Sequence, residues 1–146
     1  MILPDVNVLV YAFRESLPEH GVYARWLRRA AVAPEGLLLT DMALVGFVRV
    51  VTNARAVDPV SSAGEALHFV AALRASQSAV MARTGPAVWT MLEGLAKQDR
   101  QIRANLVPDA YLAATALSHN ARVATRDRGF ARYPGLRWFD PATEAV

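Results

Sequence analysis

Apolar residues along the chain follow two rhythms. Short, nearly unbroken apolar blocks at residues 2–5, 37–40, 78–82, 122–125 and 136–139 alternate with longer stretches in which apolar positions recur every three or four residues. Blocks of that length fit strands buried on both faces, and the longer stretches fit amphipathic helices. A helix is expected over residues 7–13, straight after the first strand. A second, opened by Pro18-Glu19, turns Val22, Tyr23, Trp26, Leu27 and Ala30 inward and Arg25, Arg28 and Arg29 outward. Thr40 or Asp41 caps a third helix running through Val45, Val48, Arg49 and Val51. Ser62 and Glu65 form a capping box ahead of Leu67, Phe69, Val70 and Leu73. Thr84-Gly85-Pro86 starts a helix with Val88, Met91, Leu92 and Leu95 inward. Residues 99–106 are polar and irregular. Pro108 then sits in the first turn of a helix carrying Tyr111, Leu112, Thr115, Ala116 and Leu117.

Strands that alternate with helices across short turns predict an α/β fold, a central parallel sheet flanked by helices on both faces. Its 146 residues fit a single domain spanning 1–146. No apolar run approaches the ~18 residues of a membrane span, and the N-terminus has no basic signal region. A soluble, cytoplasmic protein with no membrane association is expected. The chain is 53% hydrophobic, which points to apolar surface kept for a partner.

Three acids interrupt the pattern. Asp5 ends the first strand and is followed by a largely apolar helix, where an unpaired charge costs several kcal/mol, so it needs a partner or a metal. Asp109 stands at a helix start, where the macrodipole tolerates a carboxylate, and Asp127 lies just past the fourth strand. Singly, Asp109 fits a helix cap and Asp127 a turn residue. Together with Asp5 they fit one site, because parallel sheets bind ligands beyond the carboxyl ends of their strands. Two carboxylates about 4 Å apart repel by about 4 kcal/mol at an effective dielectric near ~20, so three converging acids call for protonation or a cation.

The absence of cysteine excludes disulfides, thiolate metal sites and thiol nucleophiles, which leaves oxygen or imidazole as metal ligands. A hard oxygen set selects Mg²⁺ or Mn²⁺ and the chemistry of nucleases and phosphatases. Asn7 and Thr125 are placed to orient a neighbouring carboxylate, though each also fits a purely structural role. His20, His68 and His119 fit surface or capping positions, and Met42, Met81 and Met91 fit the core. Net charge is +3, and one lysine, Lys97, stands against fifteen arginines. Guanidinium suits phosphate, but a GC-rich genome explains the ratio as well, so charge alone only permits a nucleic-acid partner.

Four segments, in order, resemble the signatures of PIN-domain ribonucleases: 5–12 (DVNVLVYA), 46–53 (GFVRVVTN), 108–114 (PDAYLAA) and 123–130 (VATRDRGF). The likeness is strongest to VapC-type toxins of bacterial toxin–antitoxin operons, of the kind common in mycobacteria, and runs from about Ile2 to Pro141. It implies a Rossmann-like three-layer fold, a Mg²⁺- or Mn²⁺-dependent endoribonuclease, a homodimer, and inhibition by a VapB-type antitoxin. By matching position, Asp5, Asp109 and Asp127 would be the catalytic and metal-binding acids. Many family members carry further acids where this chain has Gly46 and Gly129, so fewer carboxylates and more waters would hold the ion. Arg126, Arg128 and Arg132 flank the site in sequence as candidates for gripping the RNA backbone. Two rival readings stand beside this one. A PIN module lacking those acids would bind RNA or antitoxin while cutting poorly. A phosphatase of the haloacid-dehalogenase type also carries an aspartate after its first strand, but its second acid is Asn7 here and its late lysine has no counterpart.

Overall fold

The computed structural model describes residues 1–144. Five short parallel strands, β1 (Ile2–Pro4), β2 (Leu37–Leu39), β3 (Ala79–Met81), β4 (Arg122–Ala124) and β5 (Trp138–Phe139), form one sheet in the order β3-β2-β1-β4-β5. Between them run α1 (Val6–Phe13), α2 (His20–Ala30), α3 (Asp41–Val51), α4 (Ala63–Arg74), α5 (Pro86–Gln98) and α6 (Leu106–Ser118), with a 3₁₀ turn at Arg128–Arg132. The expected α/β architecture with a central parallel sheet is borne out. Among the described residues no helix is long and apolar enough to cross a membrane.

The sheet separates two cores because successive strand residues point to opposite faces. Ile2, Leu37, Leu39 and Ala124 pack with α1–α4 around the rings of Phe13, Phe47 and Phe69, whose centroids stand 5.0–5.3 Å apart. Leu3, Leu38 and Val123 face the other way, against α5 and α6. That second core is lined by Ala110, Ala113, Ala114 and Ala116, small residues that let α6 lie close to the sheet.

Helix starts follow the local chemistry. Thr40, not Asp41, caps α3, its Oγ1 accepting from Ala43 N at 3.1 Å. The Ser62–Glu65 capping box is present as expected. α6 begins at Leu106, two residues ahead of Pro108. The early start is tolerated because no N–H of a first turn has an intrahelical acceptor, so proline loses nothing at the third position. Four residues expected inside lie outside: Val22 is 39% exposed, Met42 37%, Val45 67% and Leu67 55%. Each sits one position off its helix's buried stripe, which is Tyr23, Trp26, Leu27, Ala30 in α2, Ala43, Leu44, Phe47, Val51 in α3, and Ala66, Val70, Leu73 in α4.

From the central strand β1 the chain builds outward through β2 to β3, then returns to place β4 on β1's other side. The order therefore reverses between β1 and β4, and a crevice opens beyond their carboxyl ends. Register pairs Pro4 with Ala124, so Asp5 and Thr125 leave the sheet side by side.

Candidate active site

Asp5 is the hinge between β1 and α1. Its N–H donates to Ala124 O at 2.9 Å, continuing the β1–β4 ladder, while its Oδ1 accepts from Val6 N at 2.7 Å as the cap of α1. Its Oδ2 accepts from Thr125 Oγ1 and from Asn7 Nδ2, both at 2.8 Å. Asn7 also donates to Thr125 Oγ1 at 3.1 Å and accepts from Arg126 N at 3.2 Å. Thr125 Oγ1 in turn accepts from Asp127 N at 3.0 Å. A closed polar network thus ties the ends of β1 and β4 together and fixes the orientation of the Asp5 carboxylate. Asn7 and Thr125 thus both donate to the Asp5 carboxylate.

Asp127 leaves β4 one residue beyond Arg126 and caps the 3₁₀ turn, its Oδ1 accepting from Gly129 N at 2.7 Å. A Cβ at position 129 would stand 2.9 Å from that oxygen, so glycine there suits this rotamer of Asp127. Asp109 enters from the first turn of α6. Asp5, Asp109 and Asp127 line one cleft of about 540 Å³, walled also by Asn7, Val10, Tyr11, Arg14 and Asp58. A smaller cleft of about 280 Å³ lies beside Asp5 and Asp109 and is lined by Gly46 and Arg49 of α3. A Cβ at Gly46 would lie 3.0 Å from Val6 Cγ2, so glycine keeps α3 tight against the start of α1.

The carboxylates oppose one another. Burial raises the Asp5 carboxyl above its ordinary range, even though Thr125, Val6 and Asn7 bond its charged form, and Asp127 adds repulsion. Asp109 is pushed up to about 6, first by burial and then by the charges of Asp5 and Asp127, with Arg132 pulling the other way. Among the described residues none of these three acids is in an ion pair. The cleft therefore concentrates negative charge that a cation would relieve. Its donors are hard oxygens, which suit Mg²⁺ or Mn²⁺. Among the described residues no three acidic or imidazole side chains already form a ligand cage. An ion held here would need waters to complete its shell, as Mg²⁺ readily keeps.

The three flanking arginines behave differently from one another. Arg126 pairs with Glu19 at 2.8 Å and lies over the Tyr11 ring at 5.3 Å. Arg132 pairs with Asp99 at 3.3 Å and donates to Gln101 Oε1 at 2.9 Å. Arg128 is exposed and lines a separate cleft with Trp138 and Asp140. His20 and His119 place Nδ1 near the backbone carbonyls of Tyr11 and Thr115, as capping groups do, and His68 is exposed. Sequence reasoning passed over Arg14, which is buried on the wall of the acid cleft. The available signal was its position, a cation ending the same apolar helix that Asp5 begins.

The PIN domain family matches residues 2–136 of the chain. Ribonuclease VapC43 of Mycobacterium tuberculosis is 45% identical over 141 residues, covering 97% of this chain and 95% of that protein. Ribonuclease VapC31 of the same organism is 33% identical over 141 residues, covering 97% and 99%. Among solved structures, VapBC-1 from nontypeable Haemophilus influenzae superposes with a TM-score of 0.69 at 18% identity, covering 97% of this chain and 98% of that one. At that identity the likeness is one of fold.

Proposed function

The chain belongs to the PIN-domain family, and on that footing we propose that it is a VapC-type toxin, a divalent-metal-dependent endoribonuclease held in check by a VapB-type antitoxin. The observation that carries the reading is the convergence of Asp5, Asp109 and Asp127 on one cleft with no cationic partner of their own. Its family supports the nuclease class, and its 45% identity to ribonuclease VapC43 supports the toxin assignment. A homodimer is part of the same proposal.

In this reading Asp5 and Asp109 hold a Mg²⁺ or Mn²⁺ ion, with Asp127 joining directly or through water. When bound, the ion supplies the positive charge that acidifies a water and offsets charge building on a phosphoryl oxygen. Asn7 and Thr125 keep the Asp5 carboxylate in one orientation through the bonds described above. Burial first, and then the repulsion of Asp5 and Asp127 that a cation would relieve, raise the affinity of Asp109 for a proton, so metal and proton would compete for this carboxylate.

Cleavage of an internally quenched, mixed-sequence RNA by the purified protein in Mg²⁺, Mn²⁺ or EDTA tests the proposal, with Asp109→Asn prepared in parallel against contaminating ribonuclease. Metal-dependent cleavage that the variant loses is the expected result. RNA bound equally in EDTA and never cut would replace the nuclease with the binding-module reading, and turnover of p-nitrophenyl phosphate without RNA cleavage would revive the phosphatase.

A further inference from the structure

Two charged residues are buried among the described residues, Asp5 at 8% exposure and Arg14 at 6%. They stand at opposite ends of α1, Asp5 as its N-cap and Arg14 as its C-cap, and both line the acid cleft. Asp5 is satisfied by three side-chain and backbone donors. Arg14 is not matched in this way. Among the described residues its guanidinium joins no ion pair, although Asp58 shares its cleft and Glu15 and Glu65 line the adjoining one. Its one side-chain hydrogen bond runs from an Nη1 donor to Ser61 Oγ at 2.9 Å. A guanidinium carries five N–H donors in a rigid fork. Among the described residues the sealed side-chain atoms that make no hydrogen bond belong to Arg132 and Tyr133 and none to Arg14, so its unused donors are not sealed, and the residue lines the cleft.

Arg14 also lines the neighbouring cleft of about 780 Å³ with Phe13, Ser61 and His68. It therefore stands where the two spaces meet, an eight-residue helix away from Asp5. A buried cation without an anion is costly, and a planar fork with free donors matches a phosphate oxygen pair. We propose that Arg14 is a substrate-binding residue that grips a backbone phosphate of the RNA upstream or downstream of the scissile one, and that the strand passes from the acid cleft toward the space between Arg14 and His68. The inference rests on the ribonuclease reading and adds to it the path of the strand. Ser61 serves to hold the guanidinium in place.

The test is binding of a fluorescein-labelled, mixed-sequence single-stranded RNA by anisotropy across a KCl series with Mg²⁺ present. Asp109→Asn protein keeps the strand intact, with and without Arg14→Gln, and circular dichroism checks the fold of each. Loss of Arg14 should weaken binding about tenfold and reduce the salt slope by about 0.7, the value of one phosphate contact on a single strand. Arg14→Lys, which keeps the charge but not the fork, should retain the slope and recover part of the affinity. Equal affinity and equal slope in a folded Arg14→Gln protein would overturn the proposal. If Arg14→Gln does not fold, Ser61→Ala takes its place: weaker binding with an unchanged slope is expected, and unchanged binding would overturn it. Failure of the ribonuclease reading looks different, since wild-type protein would then leave the same RNA uncut in every divalent ion, whether or not it binds the strand.

Discussion

The two ends of β4 carry charge in opposite ways. At the amino end, Arg122 donates to both carboxylate oxygens of Glu35 at 2.9 and 3.0 Å, pairs with Glu144, and lies 4.1 Å from the Phe139 ring centroid. Those bonds hold the Glu35 carboxyl below its usual range. At the carboxyl end, three residues on, Thr125 and Asp127 join Asp5 and Asp109, whose carboxyls are pushed up. One end is closed electrostatically and the other is left open. Arg122 and Glu35 are paired within the chain, whereas at the switch point Asp5 and Asp127 are oriented by hydrogen bonds and, with Asp109, have no ion-pair partner among the described residues.

Exchanging the roles should separate function from stability. Asp5→Asn is expected to lower RNA cleavage at least about 100-fold, measured as kcat/KM, while Arg122→Met leaves cleavage within about threefold. Equal losses in the two variants would erase the distinction between the ends. Thr125→Val removes the hydroxyl at the centre of the open end and strands the donors of Asn7 and Asp127. It should cost about 1–3 kcal/mol in urea unfolding, with Thr125→Ser near wild type. The closed end is expected to contribute less, about 1 kcal/mol lost in Arg122→Met, because its partners are partly solvent-exposed.

The smallest effect is a pH dependence. Asp109 moves from an ordinary 3.8 to about 6 on folding. Between those values the folded protein binds more protons than the unfolded chain, so this residue's contribution to stability falls as pH rises through the window. In EDTA, Asp109→Asn should thus be more stable than wild type at pH 7. Solvent reaches the carboxylate, which limits the gain to about 1 kcal/mol or less, and it should fade below about pH 4. Thermal melts of both proteins at the two pH values check it, and a gain that persists at low pH would assign it to packing.

Much of this architecture was legible in the sequence. Fully apolar blocks such as Leu37-Leu38-Leu39 leave little choice but a strand buried on both faces, and the break at Asp5 marked the candidate site, few structural roles suiting a carboxylate there. The order of charged and polar residues after β4 likewise pointed to Thr125 and Asp127. What escaped is set by tertiary contact. Val22 and Leu67 have the composition of core residues but sit one position off their stripes, and periodicity resolves no finer than that. Arg126 and Arg132 flank the site in sequence as candidates for gripping RNA, but the pairing of each within the chain is hidden there because Glu19 and Asp99 lie far away in sequence. Arg14 was missed for the converse reason: burial at the end of α1, against a loop from Ser61, is invisible along the chain.

The open end of β4 is most directly tested by Mn²⁺ binding, followed by electron paramagnetic resonance on wild-type protein, Asp109→Asn and Arg122→Met. Saturable binding to wild type and Arg122→Met, weakened more than about tenfold in Asp109→Asn, is the predicted result. Binding that ignores Asp109, or no binding to the wild-type protein, would contradict the assignment of the acid cleft as a metal site.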